Sequence, residues 1–158
     1  SNNNIINRNK EIKKVSEMVG FSNVFELNYP TTGLHSQTVN NMIPKISKIF
    51  IDFKPEVIYV MNRSDAHSDH RYTFESVIAC TKSFRYPFIK KILMYECISE
   101  TEFAPQLHER IFIPNYFVDI SPSFTTPSFA NSKSSACCMI KESKSYADFI
   151  ILDINLVF

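Results

Sequence analysis

The stretch PEVIYVMNRSDAHSDHR, residues 55–71, joins an apolar run to a polar loop. Residues 56–61 are rich in β-branched and aromatic side chains and follow Lys54 and Pro55, which is typical of a buried strand. Residues 62–70 then connect this strand to a helix. In open α/β sheets such connections leave the carboxyl ends of strands, where polar groups project into a crevice. The stretch therefore predicts a site at the end of a buried strand.

The segments on either side alternate between helical and strand patterns. The spacing of apolar residues predicts helices at residues 9–21, 36–53 and 71–84, and strands at residues 23–29, 56–61, 90–96 and 115–120. Ser36 is the predicted cap of the second helix, and Pro44 predicts a kink or a later start in it. The alternation predicts an α/β fold, a Rossmann-like three-layer sandwich with a mostly parallel sheet.

The composition is that of one globular domain, with 158 residues and 44% hydrophobic side chains. A formal net charge of +1 argues against a broad surface for nucleic acid. No apolar run approaches the roughly 18 residues that span a bilayer, and no basic-then-apolar secretion signal opens the sequence. We therefore expect a cytoplasmic protein with no membrane span and no nucleic-acid partner. The four cysteines form no CxxC pair and are expected to be reduced and structural.

The candidate chemistry of the loop lies in His67, Asp69 and His70. Imidazole and carboxylate are usual ligands of a catalytic zinc ion, which keeps one position open for water. On a first helical turn, two histidines three residues apart can face one crevice while Asp69 orients a ring nitrogen. Alternatively, these groups only cap a helix that starts near Arg71, with Ser68 or Asp69 as the N-cap. Both histidines would then be exposed, and the spacing leaves both interpretations open.

Three ordered motifs together resemble the PIG-L/LmbE family of zinc-dependent de-N-acetylases, which act on N-acetylglucosamine-type sugars. The motifs are PEVIYVMNRSDAHSDHR, YECISETEF and IPNYFVDIS, and the resemblance runs from about Arg8 to Ser121. It implies a zinc-dependent hydrolase that removes an N-acetyl group from a small-molecule or glycoconjugate sugar substrate. It also implies Zn²⁺ as the cofactor.

The resemblance assigns roles to individual residues. It implies that His70 is a zinc ligand, that His67 polarises the carbonyl or acts as an acid, and that Asp69 supports the histidines. RNKE matches the family's R-x-x-E helix start, so Arg8 is implied to contact substrate, with a solvated surface charge as the alternative. The substrate-binding candidates are Arg8, Arg63 and Glu96. The polar residues of the YECISETEF motif either line the sugar pocket or hold their loop by hydrogen bonds: Glu96, Ser99, Thr101 and Glu102.

The family's first motif, A-H-P-D-D-E, does not occur among these 158 residues. In the family it follows the first strand and carries two further zinc ligands and the aspartate that serves as general base. The resemblance therefore predicts an LmbE-like deacetylase domain at residues 1–121 whose first strand and first motif lie ahead of Ser1, with impaired activity. Residues 122–158 are expected to be a divergent Ser/Thr-rich tail, disordered or unlike the family.

Two other functions stay open. The chain is alternatively a non-catalytic carbohydrate-binding or interaction remnant of the same fold, or a metallohydrolase that acts on a different amide or ester. A tightly held metal ion would argue against the remnant. Acetate release confined to N-acetylated sugars would argue against the second alternative.

Overall fold

The computed structural model describes residues 2–19, 21–30, 32–105, 107–117 and 149–152. Within them the elements are α1 (Asn2–Val19), α2 (Ser36–Phe53), β1 (Val57–Met61), α3 (Ser68–Ala79), β2 (Lys91–Tyr95), α4 (Ile98–Thr101) and β3 (Phe149–Leu152). None of the described helices combines the length and the apolar character that a membrane span requires.

The strand β1 is the centre of a three-stranded sheet with the order β2-β1-β3, and both pairings are parallel. All of its residues are buried. In the register, Met61 lies opposite Tyr95 and Val60 lies opposite Leu152. Because parallel strands end at the same edge of a sheet, the chain leaving β1 and the chain leaving β2 emerge side by side. The predicted α/β fold with a parallel sheet is confirmed.

The helix α2 contributes a continuous apolar face to the core. Met42, Ile46 and Phe50 are fully buried, because residues spaced by four lie on one side of a helix. This helix packs against α3, and α3 packs against β1. The contacts describe helices stacked beside the sheet, and the three-layer sandwich stays a prediction.

Most of the predicted elements are confirmed, with shifted ends. The helices at 9–21, 36–53 and 71–84 correspond to α1, α2 and α3, and the strands at 56–61 and 90–96 correspond to β1 and β2. The helix α2 runs through Pro44 from Ser36, so the later start is wrong. Its N-cap is His35 rather than Ser36, and the His35 N–H donates to Thr38 Oγ1 at 3.4 Å.

The predicted strand at residues 23–29 is wrong, since this part of the described chain forms no strand. Asn28 has a left-handed φ of 54°, which interrupts an extended conformation. Val24 and Phe25 remain 48% and 51% exposed. An apolar pattern forms a strand only where a neighbouring strand completes its hydrogen bonds.

The far part of the sequence gives two further outcomes. Of the strand predicted at 115–120, residues 115–117 form no strand, and residues 118–120 lie outside the described residues. The strand β3 lies within the predicted tail, at a place where the sequence indicated no strand. Residues 122–148 and 153–158 of that tail lie outside the described residues, and the boundary at residue 121 stays a prediction.

Candidate metal and catalytic site

The chain passes from β1 into α3 through a short polar loop. The Asp65 N–H donates to Asn62 O at 3.4 Å and turns the chain directly after the strand. His67 is the N-cap of α3, and its Nδ1 accepts the Asp69 N–H at 3.1 Å. This bond satisfies a donor that the first helical turn leaves without an intrahelical partner. Within this frame Asp65, Asp69 and His70 are buried.

The His70 ring is held by a carboxylate. Its Nδ1 lies 2.6 Å from Asp65 Oδ2, and Asp65 Oδ1 accepts a hydrogen bond from Thr101 Oγ1 at 2.7 Å. A carboxylate only accepts, so Nδ1 carries the proton of the neutral ring and Nε2 presents a lone pair. Nε2 is buried and has no hydrogen-bond partner among the described residues. A metal-ligating histidine commonly shows this pattern, with its second nitrogen donating to a carboxylate.

The His67 ring uses its nitrogens in the opposite roles to those of His70. Its Nδ1 accepts a backbone N–H, so in the neutral ring the proton lies on Nε2. The His67 and His70 ring centroids are 5.7 Å apart, and the His67 side chain is 16% exposed while that of His70 is 1% exposed. One ring therefore offers a buried lone pair, and its neighbour offers an N–H donor closer to solvent.

The Asp69 carboxylate fixes a turn beside these rings. It accepts the Thr32 N–H at 2.7 Å and the Leu34 N–H at 3.3 Å. Thr32 has a φ of 58°, an unfavourable conformation for a β-branched residue that persists only where its surroundings hold it. Asp69 thus positions backbone, whereas the bond to the His70 ring comes from Asp65.

The loop after β2 is tied to the loop after β1. The Cys97 N–H donates to Thr101 Oγ1 at 2.9 Å, and the Ala66 N–H donates to Glu100 O at 3.1 Å. Thr101 therefore accepts from its own loop and donates to Asp65 in the other. Of the two roles open to Thr101 in the sequence, the structure shows the hydrogen-bonding one.

These ties bring three metal-ligating residue types together. The ligand atoms of Asp65, His70 and Cys97 all lie within 4.8 Å of one another. Carboxylate, imidazole and thiolate are all established ligands of Zn²⁺. Together with the partnerless Nε2 of His70, this donor set fits a bound metal ion.

Residues 2–81 match the family described as PIG-L: GlcNAc-PI de-N-acetylase. The chain belongs to the PIG-L family. The matched range contains β1, the loop that carries Asp65 and His67, and all of α3, and it ends before β2. No curated protein and no solved structure matches the chain. Membership confirms the family that the sequence resembles and indicates a de-N-acetylase-type function, while the motifs YECISETEF and IPNYFVDIS lie beyond the matched range.

The remaining residues predicted for the PIG-L site lie in three places. Arg63 is exposed in the turn that follows β1, and Glu96 is half-buried directly after β2. Both therefore leave the sheet at the edge where the histidines lie. Arg8 belongs to α1, and its side chain lies outside the described residues.

The capping alternative for the loop is answered by the start of α3. The helix begins at Ser68 and its N-cap is His67, so neither Ser68 nor Asp69 is the cap. His70 is buried instead of exposed. Capping therefore explains one ring of the pair and leaves the other without a capping role.

Two residues of the candidate site were missed by the sequence reasoning. Asp65 lies in the same loop, five residues before His70, and was a visible carboxylate with no assigned partner. Cys97 follows β2 by two residues, and the parallel alignment of β1 with β2 was the signal that both loops share one edge.

The polar groups near the opposite end of α3 are paired with one another. Tyr86 Oη donates to Ser47 Oγ at 2.9 Å, and Ser47 Oγ lies 3.4 Å from Cys80 Sγ. Cys80 Sγ in turn donates to Ile43 O at 3.5 Å. Burial raises the pKa of the Cys80 thiol, with the Ser47 hydrogen bond acting in the opposite direction. A thiol in this setting is inert.

Proposed function

We propose that the chain is a zinc-dependent amide hydrolase that removes the N-acetyl group from an N-acetylglucosamine-type sugar or glycoconjugate. The observation that supports this best is the buried Nε2 of His70, which no other described residue engages, in a chain of the PIG-L family. His70 is the proposed metal ligand. Asp65 positions it, because the bond to Nδ1 keeps the lone pair of Nε2 available.

When bound at His70, a zinc ion supplies Lewis-acid polarisation of the acetyl carbonyl and a water molecule whose pKa is lowered to about 7. The protein supplies orientation. Asp65 and Thr101 hold the imidazole in one orientation through consecutive hydrogen bonds. A ligand whose rotamer is fixed in this way loses little entropy on binding the ion.

His67 is the proposed group that polarises the carbonyl. Because its Nδ1 accepts the Asp69 N–H, the proton of the neutral ring lies on Nε2. From there the N–H donates a hydrogen bond to the carbonyl oxygen as negative charge develops on it. Asp69 is a positioning residue: its backbone N–H fixes this tautomer, and its carboxylate holds the neighbouring turn at Thr32 and Leu34.

Arg63, Glu96 and Arg8 are the proposed substrate-binding residues. Arg63 and Glu96 follow β1 and β2 at the edge of the sheet that carries the histidines. A guanidinium donates and a carboxylate accepts, so the two groups complement sugar hydroxyls. Arg8 is proposed because it matches the arginine of the family's R-x-x-E motif. The cytoplasmic location stays a prediction.

The resemblance places the general base of the reaction in the A-H-P-D-D-E motif, which these 158 residues do not contain. Loss of one stabilising donor from an active site raises a barrier by about 3 kcal/mol. We therefore expect these 158 residues alone to release acetate at least about 100-fold more slowly than a PIG-L enzyme with the motif.

Zinc binding tests the metal function directly. Stoichiometric zinc is expected in the purified chain and in a His108→Ala control, whose histidine is exposed. His70→Ala should lower zinc affinity by more than about 100-fold, because even loss of a residue that only supports a ligand costs about 10- to 100-fold. Unchanged zinc affinity in His70→Ala would contradict the proposal.

Substrate class is tested by acetate release from N-acetylated sugars, other amides and esters. Release should be confined to the sugars and should fall by about 100-fold or more in His67→Asn. Asn keeps the N-cap of α3, but its shorter side chain places no donor at the position of the His67 Nε2. Faster hydrolysis of another amide or ester would point to a different substrate. Zinc binding with no acetate release from any compound would support the non-catalytic carbohydrate-binding alternative.

A further inference from the structure

We propose that the Cys97 thiolate is a second metal ligand beside His70, so that the site selects a thiophilic or borderline ion such as Zn²⁺ or Co²⁺. The inference rests on the proposed metal function of His70. It adds a donor from the loop after β2, outside the range that matches the PIG-L family.

The donor distances are close to those that one ion requires. The ligand atoms of His70, Asp65 and Cys97 lie within 4.8 Å of one another. A tetrahedral zinc ion binds sulfur at about 2.3 Å and nitrogen at about 2.1 Å, which places two such donors about 3.6 Å apart. The 4.8 Å limit, which counts either ring nitrogen of His70, exceeds this spacing by about 1 Å, a distance that side-chain rotation can close.

A continuous hydrogen-bond path holds Cys97 and His70 in register. The Cys97 N–H donates to Thr101 Oγ1 at 2.9 Å, and Thr101 Oγ1 donates to Asp65 Oδ1 at 2.7 Å. The other oxygen of Asp65 binds Nδ1 of His70 at 2.6 Å. Asp65 is thus engaged on both oxygens, and Cys97 is the member of the group that adds sulfur.

The unpartnered nitrogen is an independent sign of a ligand at this place. His70 is 1% exposed, and its Nε2 lacks a hydrogen-bond partner within the described chain. A buried polar atom without a partner is destabilising, and a bound cation removes that cost.

Sulfur changes which ion the site accepts. Thiolate ligands favour zinc, cobalt and other thiophilic ions, whereas Mg²⁺ and Ca²⁺ take oxygen donors. As the bond from sulfur to metal forms, the thiol proton is released to the buffer, so binding becomes weaker at lower pH. Excess Mg²⁺ or Ca²⁺ should therefore fail to displace zinc.

Cobalt spectroscopy tests the thiolate without relying on activity. Co²⁺ is added to the full chain under a phosphine reductant, since thiol reductants bind the same ions. A thiolate ligand gives an intense sulfur-to-cobalt charge-transfer band in the near ultraviolet, separate from the visible bands of the ion. The sequence contains three other cysteines, so the matched controls are Cys80→Ser and the double variant C137S/C138S.

We expect the charge-transfer band in the wild type and in both controls, and its loss in Cys97→Ser together with a drop of about 10-fold or more in zinc affinity. A band that persists in Cys97→Ser overturns the inference. Visible cobalt bands that depend on His70 but lack a charge-transfer band also overturn it, while leaving the proposed function intact. Absence of cobalt and zinc binding from the wild type would overturn both.

Discussion

The buried polar groups near the two ends of α3 differ in whether their hydrogen bonds are complete. Near its last residues, Tyr86, Ser47 and Cys80 bond in sequence and finish on the backbone oxygen of Ile43. At its first turn, the path through Thr101 and Asp65 finishes on an imidazole whose second nitrogen has no protein partner in the described chain. Burial alone therefore does not mark a functional site. The distinguishing feature is a series of hydrogen bonds that ends on a polar atom without a partner among the described residues, here called the open path. The series that ends on the Ile43 oxygen is called the closed path.

This difference also separates two cysteines that look equivalent in the sequence. Cys80 lies in the closed path, where its thiol has two partners and a raised pKa. Cys97 lies beside the open path, within 4.8 Å of ligand atoms of Asp65 and His70, two residue types that can hold a metal ion. The hydrogen-bond partners and neighbouring groups of each sulfur determine its reactivity more than its degree of burial does.

The largest expected effect concerns the first turn of α3. Asp69→Ala removes the acceptor of two backbone N–H groups, those of Thr32 and Leu34. The bond to Leu34 is buried and the bond to Thr32 is part-buried. Loss of the acceptor of a buried donor costs about 1–3 kcal/mol, so the free energy of unfolding should fall by about 3 kcal/mol. Urea unfolding measures it. In the control Asp52→Ala, loss of an exposed ion pair with Lys48 should cost less than about 1 kcal/mol. Equal losses in both variants would show that Asp69 does not hold the turn.

The next effect concerns the end of the open path. Asp65→Asn keeps the shape of the side chain but removes the charge that orients Nδ1 of His70. Zinc affinity should fall by about 10- to 100-fold while the fold is retained. Isothermal titration against Asp52→Asn measures the difference. Unchanged affinity would mean that the ring needs no carboxylate, and the contrast between the two ends would lose its basis.

A smaller effect is expected at the closed path. Tyr86→Phe removes the hydroxyl that donates to Ser47 but keeps the ring, which packs edge-on against Phe50 at a centroid distance of 6.2 Å. The free energy of unfolding should decrease by about 1 kcal/mol, the usual net contribution of one hydrogen bond. Zinc affinity should not change. A loss of zinc binding would show that the two ends are coupled through α3.

The smallest effect is a pH dependence from Cys80. Because burial raises the pKa of its thiol in the folded protein, the unfolded chain loses the proton first as the pH rises. Stability is therefore complete below the ordinary thiol pKa of about 8.5 and falls above it, by less than about 1 kcal/mol at pH 9. Urea unfolding is measured at pH 9 and at a pH below the ordinary thiol pKa. In Cys80→Ser the free energy of unfolding should not show this decrease between the two. The same slope in the variant would assign it to another group.

Sequence periodicity predicted the elements whose burial is visible within a single segment. The helix α2 repeats apolar residues at helical spacing, and β1 is a continuous apolar run, so both could be recognised without knowledge of their neighbours. The segment at 23–29 shows a similar pattern but no ladder in the described structure. Whether such a segment pairs depends on what lies beside it, which one sequence does not contain.

The residues of the candidate site also fall into a group that one segment reveals and a group that depends on contacts between segments. His67, Asp69 and His70 form a local motif, and the family resemblance singled them out. Asp65 and Cys97 depend on contacts through space, across a loop and across two strands. Only the turn after β1 and the parallel register bring them to the imidazole.

The order of the strands has a consequence for biosynthesis. The edge of β1 that β3 covers is apolar along its whole length, and its partner residues 149–152 are translated long after residues 57–61. Until they emerge from the ribosome, β1 lacks the partner that β3 provides. An apolar strand with an open edge is a template for pairing with other chains. Nascent chains of this protein should therefore depend on chaperones until β3 has been made.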